Sequence, residues 1–148
     1  ITEISSISLP QNTISFGTVE ITQTYDSYPS KFFVIKNDGN TIVDIEVNAT
    51  NPFFGSNCTF LPCSSYQVKV GANSTTPYPI CSANPSKINY TNMYGSSSGL
   101  LINDLNFVDN DDSANIYIKY VVPSDEPPGS KSSIVTFWAK SANSYECG

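Results

Sequence analysis

Histidine is absent from this chain of 148 residues. Its absence removes the commonest general base in proteins and, with it, any Ser–His or Cys–His nucleophile pair. A glycine-rich phosphate-binding loop is also missing. A glycosidase with two carboxylates stays open as an alternative, because such pairs assemble in space, but no sequence feature marks one. We therefore predict that the chain is not an enzyme and has no catalytic residue.

Positive charge is scarce as well, since 7 basic residues stand against 13 acidic ones and leave a net charge of −6. The basic residues are spread singly, which argues against nucleic acid or anionic lipid as a partner. No apolar run approaches the roughly 18–20 residues of a membrane span. The chain starts at Ile1 rather than Met, as a processed secreted protein does, although a piece of a longer chain looks the same. We expect a secreted, extracellular protein.

Only 14% of the residues are charged, and good helix formers are few while Pro and Gly recur. Short apolar runs separated by turn residues predict an all-β sandwich instead. The length suits one domain. We predict that residues 1–10 form an N-terminal tail strand and that residues 11–148 form a single β-sandwich domain.

One stretch, residues 31–49, has two β-forming runs on either side of Asp38-Gly39. Asp-Gly between such runs favours a two-residue hairpin turn of type I′. In that register Val34 pairs with Val43. The residues expected on the core side are Phe32, Val34, Val43, Ile45 and Val47. The opposite side then carries Asp44, Glu46 and Asn48, together with a small apolar patch of Phe33, Ile35 and Ile42 on which a neighbouring subunit could dock.

The last two predicted strands, Asn115–Val122 and Ser132–Lys140, have apolar residues on both faces. Strands of this kind are normally covered on both sides. Two explanations stay open. A bulge or twisted corner could turn one set of side chains inward, or a neighbouring subunit or inserted strand could cover the second face.

Four cysteines, Cys58, Cys63, Cys81 and Cys147, are an even number that suits two disulfides. Zinc and free buried thiols are the alternatives. The four-residue gap between Cys58 and Cys63 is loose for a zinc knuckle, and the other two cysteines lack paired spacing. Among three connectivities we favour Cys58–Cys63 with Cys81–Cys147, which fixes the C-terminal tail.

An acidic cluster occurs at Asp104 and at Asp109-Asn110-Asp111-Asp112. Hard cations need several oxygen ligands, and this spacing offers them. The cluster lacks the Gly and the Glu of a calcium-binding EF-hand loop. A solvated acidic turn is the simpler interpretation, so we predict no metal site and no cofactor, with a structural calcium site as the alternative.

Four Asn-x-Ser/Thr sequons occur, at Asn48, Asn57, Asn73 and Asn89. The Asn, Ser and Thr content alone would give about that number by chance. Their placement is more informative, because Asn48 and Asn89 fall on outward strand positions and Asn73 in a turn. Since glycan acceptors must be exposed, we expect N-linked glycans at these sites if the chain is secreted through an Asn-glycosylating pathway.

Two stretches resemble immunoglobulin-like surface domains. Ile14-Ser-Phe-Gly-Thr-Val19, followed by Phe33-Val-Ile-Lys-Asn-Asp-Gly-Asn40, is similar to their opening strands. Tyr120-Val-Val-Pro-Ser-Asp-Glu-Pro-Pro-Gly129, followed by Ile134-Val-Thr-Phe-Trp138, is similar to their closing strand pair. The matches cover under half of the chain, and they imply an immunoglobulin-like or jelly-roll-like sandwich.

The chain is also similar in style to subunits of archaeal extracellular filaments, being rich in Ser, Thr and Asn, acidic, and opened by a short apolar tail. In those filaments the N-terminal strand of one subunit completes the sandwich of the next. The resemblance implies a pilus-like homopolymer of identical subunits. The matching donor-strand positions are Ile1, Ile4, Ile7 and Leu9, although their alternation is imperfect.

Two other functions stay open beside the filament. One is adhesion or carbohydrate binding at the cell surface, through exposed tyrosines that contact a surface ligand: Tyr28, Tyr94 or Tyr145. The other is a capsid, coat or lattice component.

Overall fold

A computed structural model describes residues 6–53, 61–72, 89–107 and 112–141. These residues contain nine β-strands and no helix, so none of them forms a helix long and apolar enough to cross a membrane. The strands form two antiparallel sheets that pack into a β-sandwich, which confirms the all-β prediction.

The strand bounds are β1 (Ile7–Gln11), β2 (Thr24–Asp26), β3 (Phe33–Asn37), β4 (Val43–Ala49), β5 (Tyr66–Ala72), β6 (Thr91–Asn92), β7 (Gly99–Leu105), β8 (Ser113–Val121) and β9 (Val135–Ser141). The first sheet has the order β1-β3-β8-β5-β6, and β2 pairs with the second half of β8. The second sheet has the order β7-β4-β9.

The centre of the second sheet is β4, whose side chains alternate between core and surface. Val43, Ile45 and Val47 are fully buried, as predicted from the alternation. Asp44, Glu46 and Asn48 lie on the outer face and are half-buried. The core that these residues enter takes side chains from both sheets, including Ile35, Val68 and Ile116 from the first and Leu101, Ile102 and Leu105 from the second.

The predicted hairpin is wrong, because β3 belongs to the first sheet and β4 to the second. Neither Asp38 nor Gly39 has the positive φ that a type I′ turn requires. The connection arches between the sheets and is held by Asn37, which is buried. Its amide donates to the carbonyls of Thr41 and Leu105, both at 3.0 Å, and its side-chain oxygen accepts from the Gly39 N–H at 3.0 Å. These bonds replace the expected pairing of Val34 with Val43.

The faces predicted for β3 are also reversed. Ile35 is fully buried, and Phe33 packs on the Phe137 ring with centroids 5.9 Å apart. Phe32 and Val34 instead lie on the outer side of the first sheet. The predicted docking patch is therefore wrong: Phe33 and Ile35 face the core, and Ile42 is half-buried.

The apolar outer face of β8 is covered by the same chain. Tyr117 points away from the core yet is only 6% exposed, because the rings of Tyr28 and Phe32 lie against it at centroid distances of 4.9 and 5.9 Å. On β9 the outer side differs, since Trp138 remains 41% exposed. The segment between β2 and β3, both strands of the first sheet, thus covers the outer face of β8 at Tyr117, so neither a bulge nor a second subunit is needed to explain the two-faced pattern there.

Candidate functional site

The N-terminal strand, predicted as the donor, lies at the edge of the first sheet. Ile7 and Leu9 are partly buried and pack against the core. Their neighbour is β3, to which β1 pairs antiparallel, with Ser8 opposite Lys36. The ladder continues outward through a bond of 2.8 Å from the Asp38 N–H to the Ser6 carbonyl. The other two predicted positions, Ile1 and Ile4, lie outside the described residues.

The pairing between β1 and β3 is regular at its start and irregular at its end. The register shifts between Ser8 and Gln11, around Pro10, which has no N–H to donate. In the described part of the chain, β3 is the single sheet partner of β1. The strand is therefore attached along one side only, and its other side has no described strand beside it.

A groove of about 690 Å³ opens between the two sheets where the chain follows β1. Its apolar lining includes Ile14, Phe16, Phe33, Phe53, Tyr120 and Val135. At its rim the Lys131 ammonium lies 2.7 Å from the Glu126 carboxylate, and both side chains are largely buried. The groove thus combines an aromatic wall with one ion pair.

Two tyrosines of the groove are held in their neutral form. Tyr66 donates a hydrogen bond of 2.9 Å to Ser133, and burial raises the pKa of Tyr66 above its ordinary value. Burial, with smaller contributions from Tyr25 and Tyr66, raises the pKa of Tyr120 to about 12. At neutral pH the tyrosine hydroxyls of the groove therefore carry no charge, which suits apolar side chains as contacts.

A second cluster lies on the outer face of the first sheet and is called the outer aromatic cluster: Tyr28, Lys69, Tyr90, Tyr117 and Lys119. The Lys69 ammonium sits 3.9 Å from the centre of the Tyr28 ring and 4.7 Å from that of Tyr90. The Lys119 ammonium lies 5.4 Å from the Tyr90 ring. These distances are those of cation–π contacts.

Strand register brings these side chains together. Lys69 on β5 is directly opposite Tyr117 on β8. A Cβ at Gly71 would lie 3.1 Å from the Tyr117 ring, so the glycine leaves room for that ring across β5. Buried Ser27 exchanges hydrogen bonds of 2.9 Å with the Ile118 backbone, which anchors the turn that carries Tyr28.

Asp26 ties the remaining ring to the cluster. One of its carboxylate oxygens accepts from the Tyr28 N–H at 3.0 Å and from the Tyr90 hydroxyl. Burial, followed by this hydrogen bond and the charge of Asp26, raises the pKa of Tyr90 well above its ordinary value. Tyr90 therefore acts as a hydrogen-bond donor over the whole physiological range.

Of the tyrosines predicted for ligand contact, only one is shown to be exposed. Tyr28 is 52% exposed. Tyr94 is half-buried and packs against the core, beside Gly99, so the prediction of an exposed Tyr94 is wrong. Tyr145 lies outside the described residues. Sequence reasoning missed Lys69, Tyr90 and Tyr117, because no periodic pattern joins residues from separate strands and loops.

Two of the four sequons fall within the described residues. Asn48 is on the outer face of β4, opposite Thr136, and is half-buried. Asn89 is exposed. Asn57 and Asn73 lie outside the described residues, and glycosylation stays a prediction at all four sites.

Cys63 is disulfide-bonded. Cys58, Cys81 and Cys147 lie outside the described residues, so the connectivity stays a prediction. In the acidic cluster, Asp104 and Asp112 are buried, while 109–111 are not among the described positions. Within the described ranges, no three acidic or cysteine side chains converge as a metal site does.

No family model, no curated protein and no solved structure matches this chain. Its class therefore rests on its own geometry, which is that of an all-β sandwich with an N-terminal strand at a sheet edge and an aromatic outer face.

Proposed function

We propose that the protein is the structural subunit of a secreted, pilus-like surface filament that polymerises by N-terminal strand donation. The observation that carries the proposal is the position of β1. It is the first described strand, lies at a sheet edge and, among the described residues, pairs with β3 alone.

Exchange of such a strand between copies changes few contacts. If β1 of one copy replaces β1 of the next, Ile7 and Leu9 enter the same core positions beside β3. Exchange of an identical element is a low-cost route to assembly, and a head-to-tail contact that does not close gives an open filament. Main-chain hydrogen bonds supply affinity, while alternate side chains fix the register.

Two further features support a surface location. A disulfide at Cys63 suits an oxidising, extracellular compartment. The exposed sequon at Asn89 suits a glycosylated surface. Both features agree with a filament outside the cell, and neither depends on strand donation.

The test uses the Ser8–Lys36 pair, whose side chains stand opposite each other across β1 and β3. Ser8→Cys and Lys36→Cys are made in separate chains, which are mixed, assembled and treated with a short thiol crosslinker. Cβ atoms of opposed residues lie about 4.5–5.5 Å apart, within reach of such a reagent. Strand donation predicts covalent dimers that contain one chain of each variant.

The matched control uses Asn48→Cys and Thr136→Cys in separate chains, because this opposed pair joins β4 and β9. Neither strand is exchanged in the proposal, so the control mixture should give no dimers of this kind. The proposal fails if the Ser8 and Lys36 positions crosslink only when both cysteines are in the same chain.

A further inference from the structure

The outer aromatic cluster brings two positive charges together beside one carboxylate, that of Asp26. The molecule carries −6 overall, yet two ammonium groups, those of Lys69 and Lys119, meet at the Tyr90 ring. Across the described residues the two ion pairs are Lys131–Glu126 and Lys140–Glu46. Neither cluster lysine has a carboxylate within ion-pair distance there. Asp26 stands opposite Lys119 in the pairing of β2 with β8 and accepts from the Tyr90 hydroxyl, so two ammonium groups face one carboxylate and leave one positive charge in excess.

The cluster also offers flat apolar surface next to those charges. Tyr28 is 52% exposed, and its ring is held in place by the edge-to-face contact with Tyr117. An exposed pair of amides borders the rings, in which Gln67 donates to Asn92 at 3.3 Å. Such amides have further donors and acceptors that can bond to hydroxyl groups.

We propose that the outer aromatic cluster binds an acidic polysaccharide. The exposed ring of Tyr28 would pack against the apolar face of a sugar ring. Lys69 and Lys119 would bind its carboxylates, and the bordering amides would bind its hydroxyls. This site lies on the outer face of the first sheet, and its function does not depend on strand donation.

The same chemistry argues against two other ligands. A neutral sugar makes no use of the two ammonium groups. In the described part of this surface a nucleic acid would meet the two cluster lysines beside the Asp26 carboxylate, while proteins that bind it well make about 6–10 phosphate contacts. The negative charge of the whole chain opposes it further.

The experiment measures binding of the intact protein to polygalacturonate by affinity electrophoresis and calorimetry at low salt. Dextran tests for a neutral sugar, polyglutamate for charge without a sugar ring, and single-stranded DNA for nucleic acid. We expect measurable binding to polygalacturonate, weaker binding to polyglutamate, and none to dextran or DNA.

Three variants locate the site. Tyr28→Ala and Lys69→Met should each weaken polygalacturonate binding by about tenfold. Lys36→Met is the matched control, because Lys36 lies on the outer side of the same sheet, on β3. Its ammonium makes no cation–π contact with a ring of the described residues. It removes the same charge and should leave binding unchanged. Lys69→Met keeps the aliphatic stem, and a thermal melt confirms that each variant is folded.

Several results overturn the proposal. Equal binding by all variants would place the sugar elsewhere, and equal affinity for polyglutamate would reduce the interaction to charge alone. Tighter binding of DNA or dextran would assign another ligand class. A change in the molar mass measured by light scattering for Tyr28→Ala, with sugar binding intact, would show that the cluster contacts a second copy of the chain instead.

Discussion

Asn37 is a single side chain that joins both sheets of the sandwich. It ends β3 in the first sheet, and its amide bonds the Leu105 carbonyl at the end of β7 in the second. A further bond to the Thr41 carbonyl and one from the Gly39 N–H fix the arch between β3 and β4. Because Asn37 is 1% exposed, water cannot replace these bonds.

Asn37→Ala should therefore lower the free energy of unfolding by about 2–4 kcal/mol, because it leaves buried carbonyl groups without their donor. Urea denaturation followed by tryptophan fluorescence measures the change. Asp38→Ala is the control, since Asp38 is exposed and its N–H bond to the Ser6 carbonyl comes from the backbone, which the substitution keeps. Equal stability of the two variants would show that Asn37 does not hold the arch.

At the scale of elements, the connection from β8 to β9 is fastened by the ion pair between Glu126 and Lys131. Their side chains are 3% and 16% exposed, and their charged atoms are 2.7 Å apart. The surface pair of Glu46 and Lys140 has the same distance, but there the exposed fractions are 21% and 63%. The two ion pairs thus have the same distance between charged atoms and differ in the burial of their side chains.

That difference predicts different costs. Lys131→Met removes the ammonium beside a buried carboxylate and should cost about 3 kcal/mol. Lys140→Met should cost less than about 1 kcal/mol, because solvent screens the exposed pair. Chemical denaturation of both variants measures this contrast. The double variant Glu126→Gln, Lys131→Met should recover part of the loss, and equal costs for the two single variants would contradict the role of burial.

Strands β3 and β4 also show which parts of the fold can be predicted from the sequence alone. β4 has polar residues on one face only, so its alternation identified Val43, Ile45 and Val47 as core. β3 is apolar on both faces, and its inward side depends on which strand it pairs with. That choice was decided by the buried side chain of Asn37 and not by the Asp-Gly turn signal. An Asn that ends a strand looks the same in sequence whether it is exposed or buried.

The sequence predicts the two candidate sites to different degrees, because one is a local segment and the other depends on strand pairing. The N-terminal tail is one local segment, so Ile7 and Leu9 could be identified from apolar content. The outer aromatic cluster takes Tyr28, Lys69, Tyr90 and Lys119 from separate parts of the chain. The pairings of β2 with β8, of β8 with β5 and of β5 with β6 place those parts side by side. Contacts that depend on non-local strand order leave no periodic signal in the sequence.

At the scale of the whole molecule, the proposed donation of β1 would compete with closure of β1 on its own chain. A tethered strand acts at an effective concentration that is millimolar for short flexible links. A dilute chain should therefore stay closed, with Ile7 and Leu9 in its own core as described. Assembly requires that the edge of β3 open and accept a strand from another copy, and the same opening admits any strand of matching sequence.

A free peptide of residues 1–11 should consequently cap growing filaments, because it fills the acceptor edge beside β3 and brings no domain to continue the chain. Millimolar peptide is needed, since it competes with the tethered strand. Electron microscopy should show mean filament length falling as peptide is added during assembly. A peptide with Ile7→Ser and Leu9→Ser keeps the main-chain groups but lacks the two side chains that pack on the core, so it should leave length unchanged. Filaments shortened equally by both peptides, or by neither, would remove β1 from the assembly mechanism.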